Sequence, residues 1–401
     1  MTKRQLPPLR YAGQRRTIIM ITLSQRTQKM SPSYIREILN ATQQPDMISF
    51  AGGLPDESLF PKQRLQDAAA KMLADTRCFQ YGETQGDPKL REWIKNHQIP
   101  DTLEVIITTG SQQALDLIAR AYLNPGDTVL VETPCYLGAL QVFELAEASI
   151  ITLPQTISGP DIEQLEQILQ QHTPKLFYSV PDFHNPSGRC WSLETRQAVA
   201  HLLNTYSTLF IEDAPYRALR YEGDHIAQVS DLTDAPTIRL GSFSKVATPG
   251  MRIGYAAGAA TCIQPLILLK QAADLHSTLP IQRMMYHLLA DGLLEEHLPR
   301  LVHHYREKSL VMTHMLRKTL GDRISLSDPV GGMFLWGELH GISAHALAKA
   351  SLENGVAIVP GDVFYPSGHE GPEALRLNFT HASISMIEEG IKRLTHAANM
   401  L

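Results

Sequence analysis

The stretch Ile238-Arg239-Leu240-Gly241-Ser242-Phe243-Ser244-Lys245, followed by Pro249-Gly250-Met251-Arg252, decides how the rest of the chain is read. Three strand-like residues lead into a lysine set among small hydroxyl side chains, with an arginine further along the same segment. Burial beside other cations lowers a lysine pKa and frees its lone pair to attack a carbonyl. Ser242, Ser244 and Arg252 are the residue types that bind a phosphate, through hydroxyls and a guanidinium fork. Taken alone, the segment reads more readily as a loop with one solvated lysine.

The neighbouring segments change that balance. Thr208 to Ile211 is strand-like and ends in Glu212-Asp213-Ala214-Pro215-Tyr216. An acid at the carboxyl end of a buried strand needs a partner, which a protonated pyridine nitrogen, a helix cap or a salt bridge each supplies. Lys175 to Val180 is a buried strand that runs into Pro181-Asp182-Phe183-His184-Asn185-Pro186-Ser187-Gly188. Two prolines and a glycine hold Asn185 in a rigid loop, where its amide serves a ligand atom or simply forms the turn. Val105 to Thr109 is a β-branched strand, Gly110-Ser111-Gln112 a turn, and Ala114, Leu115, Leu117, Ile118 and Tyr122 give the apolar face of a helix. Such a turn offers free N–H groups to an anion, although many α/β proteins carry one with no anion on it. Thr128 to Val131 is the next strand, and Tyr136 follows its end, either stacked on a planar ring or packed in the core. This alternation over about residues 105 to 258 predicts an α/β unit with a mostly parallel sheet covered on both faces, and ligand groups at the strand carboxyl ends.

Upstream, Ile35, Ile38 and Leu39 have helical spacing, and Met47 to Phe50 reads as a strand entering the turn Gly52-Gly53-Leu54-Pro55, where Gly53 permits close approach of a ligand. Tyr81 precedes a helix opened by Pro88. Downstream, Ile253 to Ala257 is strand-like and Cys262 to Leu320 is rich in helix. A second, smaller α+β unit follows, with strands at Met333 to Trp336 and Val356 to Val359 and a helix over Ala344 to Glu353. Leu375-Arg376-Leu377-Asn378-Phe379 alternates, so Arg376 faces away from the core: solvated, or a carboxylate clamp if that face borders a pocket. The expected division is a basic arm over 1–32, a small domain from 33–48 with 285–401, and a large domain over 49–284.

The 401 residues are 43% hydrophobic and 19% charged with a net charge of −5, so the basic footprint of a nucleic-acid binder is missing. No apolar run approaches the roughly 18 residues of a membrane helix. Cys78, Cys135, Cys190 and Cys262 have no metal-site or disulfide spacing and read as reduced thiols of a cytoplasmic protein. The segment before Glu37 holds eight basic and no acidic residues, which suits a transit peptide, a disordered tail, or a true start at Met20 or Met30.

Together these motifs resemble the fold type I, class I/II aminotransferases that use pyridoxal phosphate, and within them the 2-aminoadipate and kynurenine/2-aminoadipate aminotransferases. The likeness runs from about Ser33 to the C-terminus with the motifs in the family's order. It implies that Lys245 carries the cofactor covalently and later moves the substrate proton, and that Asp213 keeps the pyridine nitrogen protonated. Asn185 and Tyr216 would bond the phenolic oxygen, and Tyr136 would stack on the ring. Ser111, Gln112, Ser242, Ser244 and Arg252 would hold the phosphate, with Tyr81 reaching in from the other subunit of a homodimer. Arg376 would bind the substrate carboxylate beside Gly53, and Ile35 and Arg36 would line the substrate side.

The implied reaction is a ping-pong transfer of an α-amino group to 2-oxoglutarate. His184 stands where the group has glutamine, and Cys135 where it has serine, departures that bear on substrate preference and not on reaction type. The same residues would serve a decarboxylase or a β- or γ-lyase. A ligand-sensing regulator shares the fold, but the segment before Ser33 is short for a winged-helix domain.

Overall fold

A computed structural model describes residues 22–29, 38 and 46–401. Most of the basic arm, and the expected helix with Ile35 and Arg36, lie outside the described residues.

Val105-Ile106-Ile107, Val129-Leu130-Val131 and Phe210-Ile211 have no polar residue to turn toward water, and all eight side chains are buried. Strands of that kind form parallel sheets covered on both sides. The chain builds strands β1 (Ile48–Ser49), β2 (Glu104–Thr108), β3 (Thr128–Thr133), β4 (Ser149–Thr156), β5 (Gly159–Pro160), β6 (Leu176–Ser179), β7 (Leu209–Asp213), β8 (Thr237–Ser242) and β9 (Gly254–Gly258). The large sheet has the order β2-β9-β8-β7-β6-β3-β4-β5. Neighbours from β8 through β4 pair in parallel, whereas β9 runs antiparallel to both β2 and β8. The carboxyl ends of β2, β3, β6, β7 and β8 therefore share one edge. The Lys245 segment is the connection that turns β8 back into β9.

Helices alternate with these strands as expected, with ends set by side-chain caps. Asp87, Asp161, Ser192, Ser343 and Ser383 each accept a hydrogen bond from the backbone N–H three residues on. Strand β4 and the helix Leu137–Leu145 are additions that the sequence pattern did not signal.

The second sheet comprises β10 (Ile324–Leu326), β11 (Phe334–Leu339), β13 (Val359–Pro360) and β14 (Ala374–Asn378), in the order β10-β11-β14-β13 and antiparallel throughout. β12 (Val356–Ala357) pairs with β1, so the strand expected over Val356 to Val359 is split between two partners. The alternation in β14 misleads in one respect. All five of its residues are buried, so the face that carries Arg376 is as closed to solvent as the core face.

A buried ionic cluster ties the loop after β6 to the neighbouring helix and to the segment after β7. Asp182 meets Arg196 at 2.8 Å, Arg217 at 3.3 Å and Arg220 at 3.6 Å. Burial works against the Asp182 charge, but Arg196, Arg217 and Arg220 outweigh it and hold the carboxyl below its ordinary range. Asp182→Asn leaves the buried Arg196 and the partly buried Arg217 and Arg220 without their common counter-ion. Urea unfolding is expected to show a loss of about 3 kcal/mol, and an unchanged midpoint would contradict this assignment.

Candidate active site

Five strand ends and the loops that leave them enclose a cavity of about 440 Å³. Its lining includes Gly53, Ser111, Gln112, Tyr136, Asn185, Asp213, Tyr216, Ser242, Ser244, Lys245, Arg252 and Arg376, twelve of the fifteen residues expected at a site. The three others are not among its lining residues. Ile35 and Arg36 lie outside the described residues, and Tyr81 is 79% exposed, with its ring edge-on to His276.

At one end, the turn after β2 gives the helix Ser111–Tyr122 a glycine N-cap. Gly110 adopts a φ of 77°, and a Cβ there would lie 2.5 Å from Arg252 Nη2, so only glycine allows both the turn and the arginine. Arg252 donates to Ser244 Oγ at 3.4 Å and to Thr109 O at 3.4 Å, while the Ser244 N–H donates to Ser242 Oγ at 3.3 Å. Gly254 lets β9 come close: a Cβ there would sit 2.8 Å from Gly241 O and 2.9 Å from Ser111 N. A helix N-terminus, two hydroxyls and a guanidinium thus converge, the donor set of a phosphate cup.

In the middle stands Asp213, the last residue of β7. Oδ2 accepts from the Tyr178 hydroxyl at 2.9 Å, and the buried Oδ1 has no partner among the described residues. Burial pushes its carboxyl up to about 7, with Tyr178 pulling the other way. Among the described residues it neither caps a helix nor joins a salt bridge, the two structural alternatives for an acid there. Lys245 Nζ donates to Gly53 O at 2.8 Å, and burial, reinforced by the charges of Arg252 and Arg376, brings its amine down to about 8. Tyr136 donates to Gln112 Oε1 at 3.1 Å, and Gln112 Nε2 donates to Gly138 O at 2.9 Å.

At the far end, Arg376 lies between the rings of Phe334 and Phe364, its Cζ 4.8 Å from each centroid. Nη1 donates to Asn185 Oδ1 at 3.0 Å and Nη2 to Ala51 O. The buried Nε has no partner, and no acid pairs with this guanidinium among the described residues. Burial brings its pKa down to about 10. Three cations against one acid make the cavity a receptor for anions, with phosphate-type donors at one end and a carboxylate-type fork at the other.

The family described as aminotransferase class I and II matches residues 45–394. The chain is a class I and II aminotransferase. It is 38% identical to the 2-aminoadipate transaminase of Thermus thermophilus over 92% of this chain and 94% of that one. It is 34% identical to aromatic-amino-acid aminotransferase 1 of Thermococcus litoralis, over 92% of each. Its fold superposes on the kynurenine aminotransferase of Pyrococcus horikoshii with a TM-score of 0.90, at 35% identity, covering 94% and 97% of the two chains. The α-aminoadipate aminotransferase of Thermus thermophilus in complex with N-(5'-phosphopyridoxyl)-L-leucine gives 0.88 at 36% identity, covering 94% and 97%. This aminotransferase depends on pyridoxal phosphate, and the fold is that of the fold type I enzymes.

The residues present fit that cofactor. The orphaned Oδ1 of Asp213 awaits a donor such as a pyridine N–H, and the opposite wall supplies a phosphate cup. Asn185 accepts from Arg376 through Oδ1 and hydrogen-bonds the Tyr216 hydroxyl, which sets these two side chains side by side in the cavity. Tyr178, Gly138 and Gln141 also line the cavity of the aminotransferase and carry no sequence motif. For Tyr178 the available signal was a phenol in a strand otherwise destined for the core. His184 and Cys135 do not line the cavity. His184 is buried and bonded to Ser187 Oγ at 3.0 Å, and burial together with Arg189 drops its pKa to about 3, so the ring stays neutral. Both side chains are buried outside the cavity lining.

Amine-selective labelling of the cofactor-free aminotransferase tests the environment of Lys245. Its neutral fraction grows as pH rises through about 8, so labelling at Lys245 should reach half its limit near there. A midpoint above about 10, the range of a solvated lysine, would contradict the cavity's electrostatics.

Proposed function

We propose that the protein moves the α-amino group of an amino acid to 2-oxoglutarate in two half-reactions at one site, the first product leaving before the second substrate enters. The carrying observation is Arg376, a buried guanidinium flanked by two rings with no acid partner, in the same cavity as the amine of Lys245. An α-carboxylate on Arg376 directs the rest of the substrate toward that amine. Pyridoxal phosphate, when bound, supplies the electron sink and stores the amino group between half-reactions.

This chain's residues do the remaining work. Lys245 Nζ, with a pKa near 8, would hold the cofactor and serve as the base that moves the substrate's α-proton. Asp213 holds a proton on the pyridine nitrogen, and Ser111, Gln112, Ser242, Ser244 and Arg252 bind the phosphate. Asn185 and Tyr216 hold the phenolic oxygen, Tyr136 covers the ring, and Gly53 keeps the carboxylate end open. We assign the donor to the long-chain dicarboxylic or aromatic amino acids by analogy with the relatives' names, and Arg36 to the substrate side by resemblance alone.

The functional unit in this proposal is a homodimer in which Tyr81 completes the partner's phosphate site. Its support is an exposed aromatic side chain two positions from exposed Phe79 and edge-on to His276, which follows exposed Leu275 in the chain, a surface that a second copy would cover. The division into a small domain of 33–48 with 285–401 and a large domain of 49–284 belongs to the same proposal.

Incubation with glutamate should convert the bound cofactor to pyridoxamine phosphate, seen by absorbance, and a panel of donors with 2-oxoglutarate should rank the side chains. Lys245→Ala should abolish turnover; transamination at the parent rate would rule the proposal out. Arg376→Lys loses the bidentate fork and should weaken kcat/KM for the donor by about tenfold or more.

A further inference from the structure

The one hydrogen bond that reaches the Asp213 carboxylate comes from a residue with no assigned part in the reaction. Tyr178 sits in β6, packed edge-on to Phe143 with ring centroids 5.9 Å apart, and lines the cavity. Its hydroxyl donates to Asp213 Oδ2 at 2.9 Å, and both side chains are buried. No other hydrogen bond to either carboxylate oxygen is present among the described residues, since Oδ1 has no partner.

We propose that Tyr178 is a positioning residue for the cofactor: its hydroxyl fixes Asp213 Oδ2 and favours the carboxylate form, which leaves Oδ1 to receive the pyridine N–H. The inference rests on the assignment of Asp213 to the pyridine nitrogen and deepens it. A carboxylate that accepts no hydrogen bond in an apolar enclosure would rather be protonated, and a protonated acid cannot form an ion pair with a pyridinium. One donor on the far oxygen opposes that protonation and also fixes the rotation of the carboxyl plane. A serine or threonine in β6 would be too short to offer the same bond from the same backbone position.

The groups around Asp213 make its titration legible. Tyr136, Tyr216, Cys135 and Tyr178 itself are all pushed upward by burial and stay neutral near pH 7. Lys245, Arg252 and Arg376 are the cations of the cavity, and of these Lys245 titrates near 8. Asp213, at about 7, is thus the cavity's acid that changes state just below it; burial also raises Glu132 to about 7, but Glu132 does not line the cavity and bonds to Ser179 and Trp191, so the Asp213→Asn comparison separates the two. A carboxyl raised in this way is ionised above its pKa and protonated below it. Removing the Tyr178 donor moves that pKa higher still, so the charged form becomes scarce at neutral pH and returns only in alkali.

The test is titration of the cofactor-free full-length protein with pyridoxal phosphate, followed by absorbance, at pH values from roughly 6 to 9. Tyr178→Phe removes one oxygen and keeps the ring. It should bind the cofactor roughly tenfold more weakly at neutral pH, with the deficit shrinking toward alkaline pH. The Lys245 step is common to parent and variant and cancels in the comparison. If Tyr178→Phe binds like the parent across the range while Asp213→Asn binds weakly, Tyr178 only fills space and the inference is wrong. An equal loss at every pH has the same meaning. If Asp213→Asn also binds like the parent, the assignment of Asp213 itself fails. Should Tyr178→Phe not fold, difference infrared spectra of the cofactor-free parent serve instead. A tyrosine C–O band that shifts as Asp213 titrates, and does not shift in Asp213→Asn, supports the bond; a band indifferent to that titration overturns it.

Discussion

Lys245, Arg252 and Arg376 face one cavity with Asp213 as its acid, and Asp213 bonds to Tyr178 and to none of the three. Cations held in this way repel one another, and the least firmly charged of them yields. Arginine keeps its proton under almost any condition, so the burden falls on the lysine, whose amine burial, reinforced by the two guanidinium charges, brings down to about 8. The same excess of positive charge makes anions the natural ligands at both ends. Nucleophile, phosphate cup and carboxylate fork are therefore consequences of one charge arrangement.

That arrangement needs rigid walls. The segment 51–53 contributes Ala51 O to Arg376 and Gly53 O to Lys245. Asp56, just beyond it, is fastened by Lys308 at 2.6 Å, by His304 at 3.2 Å and by the Tyr305 hydroxyl, which accepts from its N–H at 3.1 Å. Burial works against the Asp56 charge, but Lys308 and Ser58 outweigh it and hold the acid down to about 2. On the other side, Lys270 binds Gln113, Asp274 and Ser277, and Gln113 accepts from the Thr109 N–H at 2.8 Å, which steadies the turn that caps the phosphate helix. Buried ion pairs of this kind add little net stability but are costly to break from one side, which makes them good fixtures.

The parallel sheet was legible because Val105-Ile106-Ile107, Val129-Leu130-Val131 and Phe210-Ile211 leave no polar residue for a solvent face, and because turns follow the carboxyl ends of β2, β3 and β7. The motif residues were legible for a related reason: Gly110, Asn185, Asp213 and Lys245 sit at those ends, where local chemistry singles them out. Arg376 was only half legible. Alternation in β14 put it on the opposite face from Leu375 and Leu377, yet periodicity cannot say that the second face is also covered, here by Phe334 and Phe364. Tyr178 was missed because a tyrosine in a core strand has an ordinary packing role, and its partner lies on another strand. The Asp56 and Lys308 pair spans 252 positions of sequence, beyond the reach of any local pattern.

The groups that hold Arg376 also decide what kind of event substrate capture is. Before a substrate arrives, Arg376 already rests on the Ala51 carbonyl and on Asn185 Oδ1, so its guanidinium is not bare. An incoming carboxylate does not fill a void. It competes with uncharged oxygens for donors already in use, so a full negative charge is the feature that distinguishes it, and esters or amides of the same acids gain almost nothing by entering.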